Sequence, residues 1–253
     1  MEFVGKSQAL STQGLNAVSQ SLSVQPAEIW TVLAVETSGC GFLADRRPPI
    51  LFERHIFSKL TNRKFDVSDV SNPQAGGYGP SGANQYTRLA NAIQLDRSAA
   101  LQSASWGLAQ IMGMNFATSG FSDVETMVSA MSDSEDAQLH AFVSFLKTNR
   151  LDQHLQSHNW AALAKGYNGP NYAINQYDTK LAQAYQKYSA GPLPDLTLRA
   201  AQLYLTFAGM NPGPVDGMMG TKTKTALQNY QQRNGLPQTG LPDDATMAKL
   251  VAL

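Results

Sequence analysis

The stretch Ser189 to Pro194, SAGPLP, constrains this chain more than any other. Two prolines and a glycine placed so close together cannot continue a helix or join a sheet interior, so the fold must stop and restart there. At 253 residues the chain has room for one large domain and one small one. The expected division is a domain over 1–188, a linker over 189–194 and a second domain over 195–253.

Before the break, residues 8 to about 188 read mostly as helices. Pro26 suits a first helical turn, Glu28 favours a helix N-terminus, and Ile29, Trp30, Leu33 and Ala34 repeat as an apolar stripe. Ser122 with Glu125 and Ser132 with Glu135 have capping-box spacing, and Leu139, Phe142, Val143 and Leu146 then recur at helical intervals. Ile174, Tyr177, Leu181, Tyr185 and Tyr188 make a later stripe whose aromatics read as core. From about Gly39 to Gly82 the helical period lapses. There RRPPILFERHIF offers one short β candidate, and NPQAGGYGPSG, too rich in glycine and proline for regular structure, is a lid or a turn. Beyond the break, helices are expected from Leu196 to Phe207, from Thr221 to Arg233 and after Asp243 or Asp244. In that unit Leu196, Ala200, Leu203 and Phe207 should face Leu227 and Tyr230. The fold class is therefore mainly α, an α+β first domain with a short β region followed by a small three-helix domain.

Charge and cysteine content exclude several classes. Lysine plus arginine equals aspartate plus glutamate at 19 each, so no global field draws nucleic acid or anionic lipid. The longest apolar run near the N-terminus, Ile29 to Val35 interrupted by Thr31, is too short for stable membrane insertion. MEFVGKSQALSTQG lacks the apolar core of a signal peptide, and a single cysteine, Cys40, fits synthesis in a reducing cytoplasm. His154 and His158 have zinc-ligand spacing, but no glutamate follows the first histidine and no third ligand is near, so no metal is expected. With no P-loop, dinucleotide glycine fingerprint or G-x-S-x-G elbow, no cofactor is expected either, and the chain reads as a monomer.

The residue out of place is Glu36, in AVETSGCGF. It falls on the apolar stripe just before Gly39 and Gly41 stop the helix. Burial and the negative helix end both disfavour its charged form, which raises the pKa as a general acid requires. The competing reading is an ion pair with Arg46, Arg47 or Arg54. Glu36-Thr37, SWGLAQIMGMN at 105–115 and KGYNGPNY at 165–172 together suggest a sugar site. Gln110, Tyr167 and Asn168 would supply hydrogen bonds and a stacking face.

Glutamate and a small hydroxyl residue, then GLAQI, then Tyr167-Asn168-Gly169, is a pattern that resembles the lysozyme-like superfamily of goose-type lysozymes and lytic transglycosylases. The first 188 residues resemble more closely the phage N-acetylmuramidase family, through residues 36–57 and 105–115. Thr37 stands where serine is commoner, and Leu108-Ala109 where the transglycosylase motif has Leu-Met. The resemblance implies cleavage of the β-1,4 bond between N-acetylmuramic acid and N-acetylglucosamine. Glu36 would be the acid, Asp45 or Glu53 the second catalytic group, and Thr37, Gln110, Tyr167 and Asn168 would hold substrate. GPVDGMMGTKTKTALQNYQQRNGLPQTG, residues 213–240, is similar to the three-helix peptidoglycan-binding module, which implies wall-binding roles for Asp216, Gly217, Gly220 and Thr223. Together these imply an endolysin that acts on peptidoglycan glycan strands and waits in the host bacterial cytoplasm until released to the cell wall. The alternatives are a lytic transglycosylase and a non-catalytic wall-binding or virion structural protein.

Overall fold

The computed structural model describes the whole chain except residues 37, 38, 67, 68 and 171 and the side chain of Glu36. The large unit runs through α1 (Thr12–Leu22), α2 (Pro26–Glu36), β1 (Ile50–Phe52), α3 (Arg54–Leu60), α4 (Gln85–Ile93), α5 (Arg97–Gln102), β2 (Ala104–Trp106), β3 (Ile111–Met112), α6 (Val124–Asp133), α7 (Glu135–Thr148), α8 (Asp152–Gln156), α9 (Trp160–Asn168) and α10 (Tyr177–Ala190). The small unit holds α11 (Leu196–Phe207), α12 (Thr221–Arg233) and α13 (Asp244–Val251). The β region is one antiparallel sheet, β1-β2-β3, in which Ile50 faces Trp106 and Trp106 faces Ile111.

The helix leading to Glu36 is more deeply placed than an amphipathic stripe implies. Residues 27–33 of α2 are all buried, so the helix runs through the core rather than along it. Glu28 reaches back to the Gln25 N–H at 3.1 Å, completing the start that Pro26 opens. At the other end Ala34 is exposed, contrary to its expected place on the stripe, and Val35 is half-buried. The last turn of α2 thus emerges from the core after Leu33.

Two caps differ from the capping boxes read in the sequence. Asp123, not Ser122, caps α6 by accepting the Thr126 N–H at 2.7 Å, and Ser134, not Ser132, caps α7 by accepting from Ala137 at 3.1 Å. A carboxylate or hydroxyl one or two residues nearer the helix reaches the orphan N–H groups better. Ser132 lies inside α6 and donates to the Val128 carbonyl instead.

The small unit's helices stand where the sequence puts them, but α11 turns its faces differently. Leu198, Ala201 and Leu205 meet Ala226, Leu227, Tyr230 and Leu250 to form the trio's core. Leu196 packs on the large unit's core, and Leu203, with Phe207 beside it, clusters with Phe42 and Val215. The reason is that α11 is apolar on two sides, and the second side must also be covered.

At the centre of that contact lies a buried ion pair. Arg199 on α11 holds both carboxylate oxygens of Glu135 on α7, and their side chains are 2% and 0% exposed. Ala9 donates its N–H to the Tyr204 hydroxyl at 3.2 Å, and Arg46 lies over the Phe207 ring. Burial alone would raise the Glu135 pKa, but the Arg199 charge and the hydrogen bonds around the carboxylate hold it below the usual range.

Arg199→Met leaves a buried carboxylate unpaired and should cost about 3–5 kcal/mol. Calorimetry should then show Tm lower by on the order of 10 °C. The depressed pKa means wild type loses this stabilisation only as pH falls below the unfolded value of about 4.3. In the variant the unpaired carboxyl protonates more readily than an unfolded one, so acid relieves it. The stability gap between the two proteins should narrow from pH 7 to pH 4, and a constant gap in urea titrations would contradict the pairing.

Candidate active site

The loop after α2 is tied down from two sides. Gly41 donates its N–H to Glu135 at 2.7 Å, and its carbonyl accepts from the Gln138 amide at 2.9 Å. Gly41 admits no side chain, because a Cβ there would sit 2.2 Å from the Gln138 oxygen. Cys40 donates to the Phe42 carbonyl, and burial, with Glu135 nearby, pushes its thiol pKa up, which is the wrong direction for a nucleophile. Thr37 and the Glu36 side chain lie outside the described residues, so their expected contacts are not part of this geometry.

Gln138 also orders the GLAQI turn. Its oxygen accepts the Leu108 N–H at 2.6 Å, and Gly107, at φ 70°, would place a Cβ 2.6 Å from the Gln138 amide carbon. Only glycine satisfies both demands. Gln110 closes the turn: its amide donates to the Pro49 and Gly107 carbonyls at 3.0 and 2.8 Å, and its oxygen accepts from Ser105 at 2.8 Å. Its two amide protons are therefore already committed within the protein. Gln110, Tyr167 and Asn168 nonetheless line one cleft of about 280 Å³, with Met112, Asn115 and Tyr177. The Tyr167 hydroxyl donates to the Ala109 carbonyl, and its ring packs edge-on to Phe142 and Phe145.

The two second-carboxylate candidates occupy different surroundings. Asp45 is clamped by Arg47 through the guanidinium at 2.5 and 3.0 Å and the backbone N–H at 3.2 Å, and that guanidinium lies over Tyr86. Glu53 caps α3 without a side-chain hydrogen bond to the helix. One of its oxygens lies 3.1 Å from His55, out of alignment for a hydrogen bond. Tyr78 faces the same carboxylate, and burial first, then the Glu53 charge, pushes its phenol pKa up. Tyr78 is carried by the glycine-rich stretch, which is fastened and not free-standing. The Gln85 amide donates to the Tyr78 and Pro80 carbonyls at 2.7 and 2.8 Å and accepts the Phe52 N–H at 3.0 Å.

His158, one of the spaced histidines, meets Glu28 at 2.8 Å and stacks against Trp160. In the small unit, Asp216, Gly217 and Thr223 are engaged internally. The Gln202 amide donates to Asp216, the Met218 carbonyl and Thr223, and its oxygen takes the Gly217 N–H at 2.8 Å. Gln231 repeats the device, donating to Thr239, the Leu241 carbonyl and Thr246 and accepting the Gly240 N–H at 2.9 Å. Gly220 precedes α12 with open space beside it. Glu135, Gln138 and Arg199 were not legible as site-forming residues, because each acts on chain far away in sequence.

Comparison with known proteins finds two family profiles on the chain. One described as "N-acetylmuramidase" matches residues 25–189, and one described as "Putative peptidoglycan binding domain" matches residues 196–250. The crystal structure of the Burkholderia AP3 phage endolysin is similar at TM-score 0.67 and 40% identity, covering 72% of each chain. A curated protein of Nostoc punctiforme, "Putative OxPP cycle protein OpcA", is 29% identical over 93 residues, 31% of this chain. This chain spans 20% of that relative's length.

Gln110→Ala should remove three hydrogen bonds from the turn and destabilise the protein by about 2–3 kcal/mol. The urea midpoint should fall with the slope unchanged. An unaltered midpoint with a raised KM would instead make Gln110 a substrate contact.

Proposed function

The chain belongs to the N-acetylmuramidase family, and from that premise we propose that it is a modular phage-type endolysin of the lysozyme type. It hydrolyses the β-1,4 bond between N-acetylmuramic acid and N-acetylglucosamine in peptidoglycan, and the small unit binds the wall. The observation that carries this reading is the position of Glu36, the last residue of a helix whose residues 27–33 are buried and whose end leaves the core. The negative end of a helix disfavours a charged carboxylate carried on its last turn.

Protonated Glu36 donates to the bridging oxygen as the muramoyl ring becomes oxocarbenium-like. Glu53 is the second carboxylate of this reading, because Asp45 is held by Arg47 whereas one Glu53 oxygen is buried without a hydrogen-bond partner among the described residues. Tyr167 and Asn168 line the cleft that takes the glycan. No described helix is long and apolar enough to cross a membrane. In this reading the protein acts as a monomer and waits in the host cytoplasm for another agent to open the route to the wall. The Arg47 clamp on Asp45 also favours a second reading, a lytic transglycosylase, which needs only one carboxylic acid.

Mass spectrometry of borohydride-reduced fragments from purified peptidoglycan tests both. Wild type should release ends in reduced muramic acid, and Glu36→Gln should lower the rate by roughly 10²–10⁴-fold. Glu53→Gln should cost more activity than Asp45→Asn. Anhydro-muramic ends would make the transglycosylase reading the correct one, and equal products from Glu36→Gln and wild type would remove Glu36 from the mechanism.

A further inference from the structure

We propose that Arg199, although it belongs to the wall-binding module, is a positioning residue for the muramidase reaction, holding the backbone that follows Glu36. The proposal rests on the muramidase reading of Glu36. One terminal nitrogen of Arg199 donates to the Gly39 carbonyl at 3.0 Å and to Glu135 at 2.8 Å. The same Glu135 oxygen accepts the Gly41 N–H at 2.7 Å. Two points of the chain shortly after Glu36 therefore hang from a single buried ion pair, half of which comes from the other module.

This matters because Gly39 and Gly41, two glycines in three residues, give the described chain here little shape of its own. Gly39 sits at φ 103°, and glycine backbone is the most permissive the chain has. A general acid misplaced by about 1 Å can lose on the order of 10²-fold in rate. The fixing must come from tertiary contacts, and Glu135, Gln138 and Arg199 supply them. The two modules also meet at the end of α2 itself: a cavity of about 70 Å³ between them is lined by Ala34, Gly39, Arg199 and Asp216, among others. Asp216 is a second acidic group close enough to act on the Arg199 guanidinium. The network runs on from Gly41 through Gln138 to Leu108, so Arg199 is tied both to the chain after α2 and to the GLAQI turn. The anchoring module is in this arrangement part of the catalytic machine and not a tethered passenger.

The test uses the full chain and compares wild type, Arg199→Lys and Tyr204→Phe. The tyrosine variant removes one hydrogen bond of the module contact, to the Ala9 N–H, and leaves every bond of Arg199, Glu135, Gly39 and Gly41 in place. A soluble glycan of alternating N-acetylglucosamine and N-acetylmuramic acid removes the need for anchoring, and each protein is assayed well below its own Tm. Arg199→Lys should lower kcat at least tenfold with KM and sacculus binding within twofold, and amide exchange in residues 39–43 should quicken at least tenfold while α12 is unchanged. Tyr204→Phe should leave kcat and that exchange within twofold of wild type. If Arg199→Lys does not fold, Glu135→Gln, which keeps an acceptor for Gly41 while loosening Arg199, carries the same expectation. Unchanged exchange at 39–43, or faster exchange with unchanged kcat, overturns the proposal, as does an equal loss of kcat in Tyr204→Phe. If wild type itself cleaves no glycan the muramidase reading fails, and the positioning role fails with it, while the exchange data still report whether Arg199 holds the loop.

Discussion

The buried carboxylate of Glu135 is the contact on which the rest of this structure depends. A charge taken out of water costs several kcal/mol unless every lone pair is matched. Here one oxygen accepts from Gly41 and the other from Leu10, while Arg199 reaches both. The same junction between α6 and α7 pairs with the N-terminal segment through a bridge between Gln8 and Ser134, and the Glu135 N–H donates to the Gln8 carbonyl at 2.9 Å. Three distant parts of the chain, the N-terminal segment, the loop beyond Glu36 and the small unit, thus meet at one side chain.

Around that point glutamine does the work that disulfides do in other proteins of irregular loop structure. Gln85, Gln138, Gln202 and Gln231 are almost fully buried, and each ties a loop by donating to carbonyls or hydroxyls and accepting an N–H. A neutral amide offers donors and an acceptor together and is cheaper to bury than a charge. A chain with one cysteine can therefore hold a glycine-rich stretch over α3, a tight GLAQI turn and two glycine turns in the small unit without covalent links. It also engages Asp216 and Thr223, which look like ligand contacts in the sequence, through Gln202.

The contact between the units changes what the anchoring unit means for activity. A tethered binding domain raises local concentration and nothing more. A domain that completes a buried ion pair bonded to Gly39 and Gly41 does more, because those bonds restrain the chain that follows α2. Packing of Leu203 and Phe207 against Phe42 adds an apolar seam to the charged one. Wall attachment and glycan cleavage thereby share a single folded body.

Much of this was determined by the sequence alone. Helix positions in the small unit, the break near Gly191, the short β segment around Ile50, the glutamate at a helix end and the grouping of GLAQI with Tyr167-Asn168 all follow from local periodicity, turn chemistry and motif order, which act over a few residues. What only the tertiary structure decided was which side of each element is covered and by what. Residues 27–33 form a through-core helix because other helices surround them, and α11 turns Leu203 and Phe207 to the large unit because Phe42 is there to receive them. Asp45 and Glu53 look alike in the sequence, and only the fold shows that Arg47 clamps Asp45 while Glu53 lies beside His55. Glu135 carried no signal beyond a helix-start glutamate, since its partners are Arg199, 64 residues on, and Gly41, 94 residues back. Pairing across such separations is set by the free energy of burying a charge in the finished fold, and no local pattern of residues records it.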